Sequence, residues 1–329
     1  MVNFLGTQQF ILRRLIQMII SIFVVATVIF FMFRLLPGDP TTAMIEPGWS
    51  QEATQMLIER FGLDRPLHEQ YFHYLVNLFQ LDFGYSFHYS SPVSSVIGAK
   101  IGNTLILMLS AMIVAYVIGI LGGVLMAWYR GSKLETFGIS AALIFRALPP
   151  FFVGMLFIML FSFHLGWLPH SGMRTAGYVA EGALDRFFNL DFLRHLILPM
   201  TVSALYFLAQ PLLIMRNTMM EVMGEDFVEM ADAKGLKKVR IMYVHAARNA
   251  LLPVVTQGAL FLGMAVGGQV LIEYVFGWPG LGEEIVLAAQ RHDYPVAQAS
   301  FLMMASLVML MNFLADLLYG YLDPRVVYN

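Results

Sequence analysis

An all-α membrane protein with six spans, an outer helical segment after the first span and a short helical loop on the inner side is the fold class that this sequence predicts. Three observations carry it. Hydrophobic residues make up 58% of the 329 and charged residues only 13%, at a mean hydropathy of +0.69, well beyond a soluble domain. Six apolar runs of about 20 residues or more recur along the chain, each long enough to cross roughly 30 Å of hydrocarbon. Lys and Arg then collect in alternate connections, as orientation in a membrane requires.

The spans fall near Ile11–Leu36, Ile101–Tyr129, Thr136–Leu165, Leu196–Met215, Leu252–Glu273 and Ala299–Tyr321. In the first, Arg13 and Arg14 are followed by an apolar run, but it is too long for a signal peptide and no small-x-small cleavage site precedes Pro37. With the N-terminus inside, the cytoplasmic segments hold Arg13, Arg14, Arg130, Lys133, Arg216, Lys234, Lys237, Lys238, Arg240, Arg248 and Arg325. The outer segments, about twice as long in total, hold only Arg60, Arg65, Lys100, Arg174, Arg186, Arg194 and Arg291. Both termini are therefore expected in the cytoplasm. The chain divides into 1–36, a cytoplasmic start and first span; 37–100, an outer helical segment; and 101–329, a five-helix core with a polar loop at 216–252. In the outer segment, LIERFGLDRPLHEQYFHYLVNLF has helical spacing broken at Asp64–Pro66, which predicts two short helices at or near the outer surface.

The inner loop is the most informative stretch. In EDFVEMADAKGLKKVRIMYVHAARNALLP, Asp226 with Glu229 suits an N-cap pair, and Phe227, Met230 and Ala231 fall on one helical face. Gly235 ends that helix. Beyond it Val239, Met242, Tyr243, Ala246 and Ala250 recur at helical spacing, with Lys237, Lys238, Arg240 and Arg248 largely off that stripe. Two amphipathic helices joined at a glycine make a docking knob for a soluble partner. An ordinary polar loop is the plainer reading of the same pattern.

Catalytic signals dissolve on inspection. His68 and His73 are five apart, not the four that a metalloprotease helix needs. Ser171 lies outside any G-x-S-x-G, and no G-x-x-x-x-G-K-[ST] is present. No cysteine is available for disulfide or zinc-thiolate chemistry. A net charge of −2 leaves no basic stripe for nucleic acid. The chain is not expected to be an enzyme, and no metal or cofactor site is expected in it.

The joint order of several short motifs is the decisive sequence signal. FILRRLIQ opens the chain, followed by RLLPGDP at Arg34–Pro40, FGLDRPL at Phe61–Leu67 and LGWLPHSGM at Leu165–Met173. HLILPM, EYVFGWPGLG at Glu273–Gly282, DYPVAQ at Asp293–Gln298 and LLYGYLDPR at Leu317–Arg325 complete the series. In this order the chain resembles the membrane permeases of binding-protein-dependent ABC importers, specifically the first of the two permeases in dipeptide, oligopeptide and nickel systems. The resemblance implies a type I importer permease fold. It also implies a homologous second permease, two ATPase subunits that bind ATP and Mg, and an extracytoplasmic binding protein; membrane lipid surrounds the whole. Glu229, Met230, Ala231, Asp232, Ala233, Lys234, Gly235 and Leu236 then resemble the E-A-A-x-x-x-G loop through which such permeases bind their ATPases, with Met230 in place of the middle alanine. Peptides are the first substrate class implied, with oligosaccharides, opines and nickel as alternatives. A secondary transporter, the reading from a different class, would need mid-span acids or inverted repeats that the sequence does not offer.

Within the spans, Arg146 stands before Pro149 and Pro150 in IFRALPPFF, so it lines the translocation path, pairs with a neighbouring helix, or snorkels from a displaced span. Glu273 and Phe276 lie near the outer mouth, where the resemblance places a gate and local chemistry alone suggests a hydrogen-bonded turn. Arg34 is expected to reach the headgroups, and Asp316 to pair with a neighbouring subunit or loop.

Overall fold

The structure, a computed structural model, describes residues 4–34, 65–86, 88–178 and 189–322, together with 182, 185 and 187 between the last two stretches. Long helices dominate because a chain in hydrocarbon must satisfy its backbone N–H and C=O groups within each segment. The first is α1 (Phe4–Arg34), followed by the outer α2 (Leu67–Phe79) and a hairpin of β1 (Tyr85–Ser86) and β2 (Ser91–Pro92). Next come α3 (Val93–Trp128), α4 (Lys133–Ala147), α5 (Pro150–Phe157) with a π-helical continuation over Ile158–His164, and α6 (Leu190–Val222). The loop after α6 holds α7 (Asp226–Ala233) and the single turn α8 (Lys238–Arg240). A π segment at Ile241–Ala246 runs into α9 (Ala247–Gly267), and α10 (Val270–Val275), α11 (Leu281–Gln290) and α12 (Tyr294–Leu322) close the chain.

Five helical stretches are long and apolar enough to cross a membrane, and α4 with α5 makes a sixth that is bent by 104°. The bend falls within the single span expected at Thr136–Leu165, at the two prolines. Its cause is local: Leu148 is extended at ψ 140° ahead of Pro149, as the residue before a proline prefers, and Pro150 opens the next helix. The fifth span also shifts, from Leu252–Glu273 to a helical stretch over Lys238–Gly267, leaving Glu273 beyond it on α10. Of the two outer helices expected, α2 is present as the second; the first, like the RLLPGDP segment after Arg34 and the final DPR, lies outside the described residues. The β hairpin is an addition that sequence periodicity did not suggest; it pairs Tyr85 with Pro92 and Ser86 with Ser91.

The central seam joins α3 to α6. Gly119 and Gly123, one turn apart on α3, let the backbone of α6 approach closely; a Cβ at Gly123 would lie 2.6 Å from the Leu212 carbonyl oxygen. Glycine is required there by space, not by φ. A second close seam joins α9 and α12, where Asn312 occupies the room above Gly263. On the outside of this core α1 lies against α12, and Arg14 pairs with Asp316 at 3.1 Å. The partner expected for Asp316 in another subunit or loop is therefore found in the first helix of the same chain. Arg34 lies 5.6 Å from the centre of the Phe30 ring.

Candidate functional site

Three places in this framework hold the residues singled out from the sequence. In the loop between α6 and α9, α7 buries Val228 and Ala231 against Met215 and Met219 of α6 and Ile241 and Met242 of the π segment. Phe227 is 38% exposed and Met230 56% exposed, so the expected face of Phe227, Met230 and Ala231 is split. Side chains three apart at 228 and 231 face the core, which rotates 227 and 230 to the surface. The helix starts one residue earlier than expected: Glu225 occupies the N-cap position, without a side-chain cap, and Asp226 is the first helical residue.

Its C-terminus explains the glycine. The Leu236 N–H reaches back to the Ala231 carbonyl at 3.4 Å and the Gly235 N–H to that of Asp232 at 2.8 Å, with Gly235 at φ +73°. This is a Schellman closure, which needs a left-handed residue at that point and an apolar contact across the turn. Leu236 and Ala231 share one cluster and supply that contact. Ala231-Asp232-Ala233-Lys234-Gly235-Leu236 is thus a helix stop written in sequence. Glu229, Asp232, Ala233 and Lys234 stay exposed, beside Val239 at 66% exposure. The second amphipathic helix is not separate: after α8 the chain runs through the π segment directly into α9.

The second place is the bend. Arg146 ends α4 with its Cζ 4.3 Å from the centre of the Tyr206 ring on α6 and 5.8 Å from that of Phe261 on α9. Among the described residues no carboxylate pairs with it. Two aromatic faces thus hold the cation where lipid would not. Pro149 and Pro150 form the corner beside it.

The third place is the turn after α10. Glu273 is fully buried, and its carboxylate accepts the backbone N–H of Gly282 at 2.6 Å and of Glu283 at 3.3 Å. The Trp278 N–H returns to the Glu273 carbonyl at 2.8 Å. Close approach explains the glycines: a Cβ on Gly280 would meet the Glu273 carboxylate at 2.3 Å, and one on Gly282 the Val270 Cα at 2.5 Å. Phe276, 2% exposed, lies under Gly154 of α5, and its carbonyl accepts the Gly172 N–H at 2.8 Å.

Residues that the sequence reading passed over complete this turn. Asn103 donates to the Pro279 carbonyl at 2.8 Å and accepts from the Trp278 indole through its own carbonyl at 2.9 Å, while the Thr104 hydroxyl accepts the Leu281 N–H at 2.8 Å. An adjacent polar pair inside an apolar run was the available signal. Nearby, Lys100 pairs with Glu284 at 2.7 Å, and Tyr89 of the hairpin donates to Glu284 at 2.9 Å. Asp293 accepts from Ser86 at 2.6 Å. Burial pushes the Glu283 carboxyl up from the ordinary carboxylate range, and Lys100 draws it back. At the inner end Glu135, also passed over, accepts from Arg216 Nε at 2.9 Å and from the Gly131 N–H at 2.6 Å. No cluster of three or more His, Cys, Asp or Glu side chains suited to a metal occurs among the described residues.

Five helices long and apolar enough to cross a membrane and a sixth, bent span, with a helix-stop knob between the fourth and fifth, define a multi-pass membrane protein. The chain belongs to the family of binding-protein-dependent transport system inner membrane components, whose model matches residues 119–328, and the N-terminal model of the same systems matches 7–108. It is 40% identical to the di/tripeptide transport system permease protein DppB of Pseudomonas aeruginosa, covering 96% of this chain and 98% of that protein. It is 39% identical to the dipeptide permease DppB of Escherichia coli K12 over 97% of this chain and 98% of that one. The oligopeptide permease AppB of Bacillus subtilis is also 39% identical, over 97% and 99%. Among solved structures, the inward-facing MetNI methionine ABC transporter matches with a TM-score of 0.53 at 18% identity, covering 69% of this chain and 96% of that one. This last likeness concerns the fold alone.

Proposed function

We propose that this permease forms half of the translocation path of an ATP-driven importer of short peptides, the other half being a homologous second permease. ATP and Mg are bound by two ATPase subunits, and an extracytoplasmic binding protein delivers substrate. Both termini face the cytoplasm and the complex lies in the inner membrane. The observation that carries this reading is the knob: a closed helical turn whose inner face is fixed to α6 and whose outer face presents Phe227, Met230 and Val239 beside Lys234. An apolar surface of this kind, rimmed by charge and rigidly tied to a membrane helix, suits a partner that delivers mechanical work. Peptides are favoured because the dipeptide and oligopeptide permeases to which the chain is similar cover nearly its whole length. The test is dipeptide uptake into vesicles with Gly235→Pro and Lys234→Glu, alongside co-purification of the ATPases. Normal assembly together with normal uptake in both variants overturns the coupling role.

For the path, the reading is that Arg146 meets the substrate. The absence of a carboxylate partner among the described residues favours this over a structural ion pair, and its donors are free to meet the carboxylate of a peptide. Arg146→Ala should reduce uptake with assembly and melting intact, and Arg146→Lys should restore part of it. Full uptake in the alanine variant removes Arg146 from the path.

A further inference from the structure

We propose that α2 is a membrane-surface helix whose open apolar stripe, Phe72, Val76 and Phe79, is buried at the boundary between headgroups and acyl chains of the outer leaflet. The inference begins with an apolar arc too wide for its protein partner. At about 100° per residue, Tyr71, Tyr74 and Leu78 share one face of α2 and Phe72, Val76 and Phe79 the adjoining one, while Glu69, His73 and Asn77 lie opposite. The first face is occupied: the Tyr71 and Thr27 hydroxyls are 2.7 Å apart, and the Tyr74 ring is 5.2 Å from that of Phe30. The adjoining face is not. Phe72 is 65% exposed and Phe79 85% exposed, in a helix whose polar residues already have a side of their own.

Depth decides what covers it. With Arg13 and Arg14 at the cytoplasmic boundary, the about 20 residues from there to Arg34 cover about 30 Å at 1.5 Å per residue, the thickness of the hydrocarbon, so its outer boundary falls in the last turn of the helix. Phe30 and Phe31, about one turn short of Arg34, therefore stand at the hydrocarbon boundary, and α2 is held against them. The free flank of α1 carries Phe23, Val24 and Val28, all about half exposed, in a span window only 17% buried, and this is a lipid-facing surface. The open stripe of α2 lies next to the face that packs on Thr27, Phe30 and Phe31, at the depth of the headgroups, while Glu69, His73 and Asn77 occupy another side. This is the arrangement of a helix lying in the interface plane.

The chain has no cysteine, which makes the test direct. Single variants Phe72→Cys, Phe79→Cys and His73→Cys are assembled with the partner subunits, spin-labelled, and reconstituted into phosphatidylethanolamine–phosphatidylglycerol vesicles. The unsubstituted complex, treated in the same way, corrects for partner thiols. Collision with oxygen, which concentrates in lipid, is compared with collision with a water-soluble nickel chelate. The expected result is a shift of the collision ratio toward oxygen at 72 and 79 and toward nickel at 73. Bimane at the same positions should lose fluorescence to brominated lipid at 72 and 79 alone, which gives a second measurement if one variant assembles poorly. Nickel dominating at 72 and 79 overturns the proposal in favour of a water-exposed face. Exclusion of both reagents also overturns it, by placing protein over the stripe, either residues 35–64 or a neighbouring subunit.

Discussion

Replacing Glu273 with alanine tests whether the turn after α10 is held from within. The carboxylate accepts a short bond from the Gly282 N–H at 2.6 Å and a longer one from Glu283 at 3.3 Å, in a position with no solvent to substitute for it. Orphaning a buried N–H costs about 1–3 kcal/mol. The shorter bond sets the scale and the void left by the side chain adds to it, so the loss should be about 3 kcal/mol. At the low end of the usual slope this is a fall of about 6 °C in melting temperature. Glu273→Gln keeps one acceptor oxygen and nearly the same volume and should cost about 1 kcal/mol. The assay is thermal unfolding of the purified complex followed by intrinsic fluorescence, to which the fully buried Trp278 contributes from inside the turn itself. An alanine variant that melts with the unsubstituted protein refutes the reasoning. A glutamine variant that melts normally but fails in uptake assigns Glu273 to the outer gate.

Other outcomes follow from other contacts. Gly123→Ala drives a Cβ to 2.6 Å from the Leu212 carbonyl oxygen and should cost about 1–3 kcal/mol in complex stability, whereas Gly122→Ala, 3.5 Å from a flexible Leu212 methyl, should be tolerated; equal melting refutes the seam. Glu135→Leu strands Arg216, and since that side chain is 23% exposed the loss should be about 1–3 kcal/mol, below the full cost of a deeply buried pair; Glu135→Leu with Arg216→Leu should recover part of it in a double-mutant cycle. A cysteine at Glu69 should react with an impermeant thiol reagent added from outside, and one at Lys238 only after the membrane is permeabilised. The opposite pattern inverts the topology.

The spans, the helix stop at Gly235 and the corner at Pro149–Pro150 were legible because each depends on near neighbours in the chain. Ala231 to Leu236 closes a Schellman turn over six residues, and a glycine with an apolar neighbour announces it. What the sequence could not rank was the rotation of α7. Phe227 and Met230 are larger than Val228 and Ala231, yet the smaller pair faces inward, in one cluster with Met215, Met219, Ile241 and Met242. The partners of Glu273 were hidden for another reason. Gly282 lies close by in sequence, but the Asn103 and Thr104 bonds that fix the same turn cross some 175 residues, and no periodicity reports a contact of that range. Arg146 was visible as a charge in a span. Its cradle was not, since Tyr206 and Phe261 read only as two more aromatics on apolar helices.

The same contacts determine where movement of the knob would be absorbed. Its buried side rests on Met215 and Met219, so a push on α7 acts on the inner end of α6, a helix of 33 residues. Arg216 at that end holds Glu135, and through it the start of α4 follows. Tyr206 lies ten residues further along α6, about 15 Å, and carries the ring on which Arg146 rests at the far end of α4. The inner ends of α4 and α6 are thus linked to each other and to the knob. The outer half is fixed differently: α5 abuts Phe276 through Gly154, and the turn containing Phe276 and Glu273 is bonded to α3 through Asn103 and Thr104. Between the two assemblies lies the 104° corner at Leu148–Pro150, where the prolines interrupt the backbone ladder that would otherwise resist bending. Displacement of the inner assembly relative to the outer one would therefore concentrate at that corner. Arg146 stands immediately before it, so displacement of the knob would be felt at the position proposed to meet the substrate.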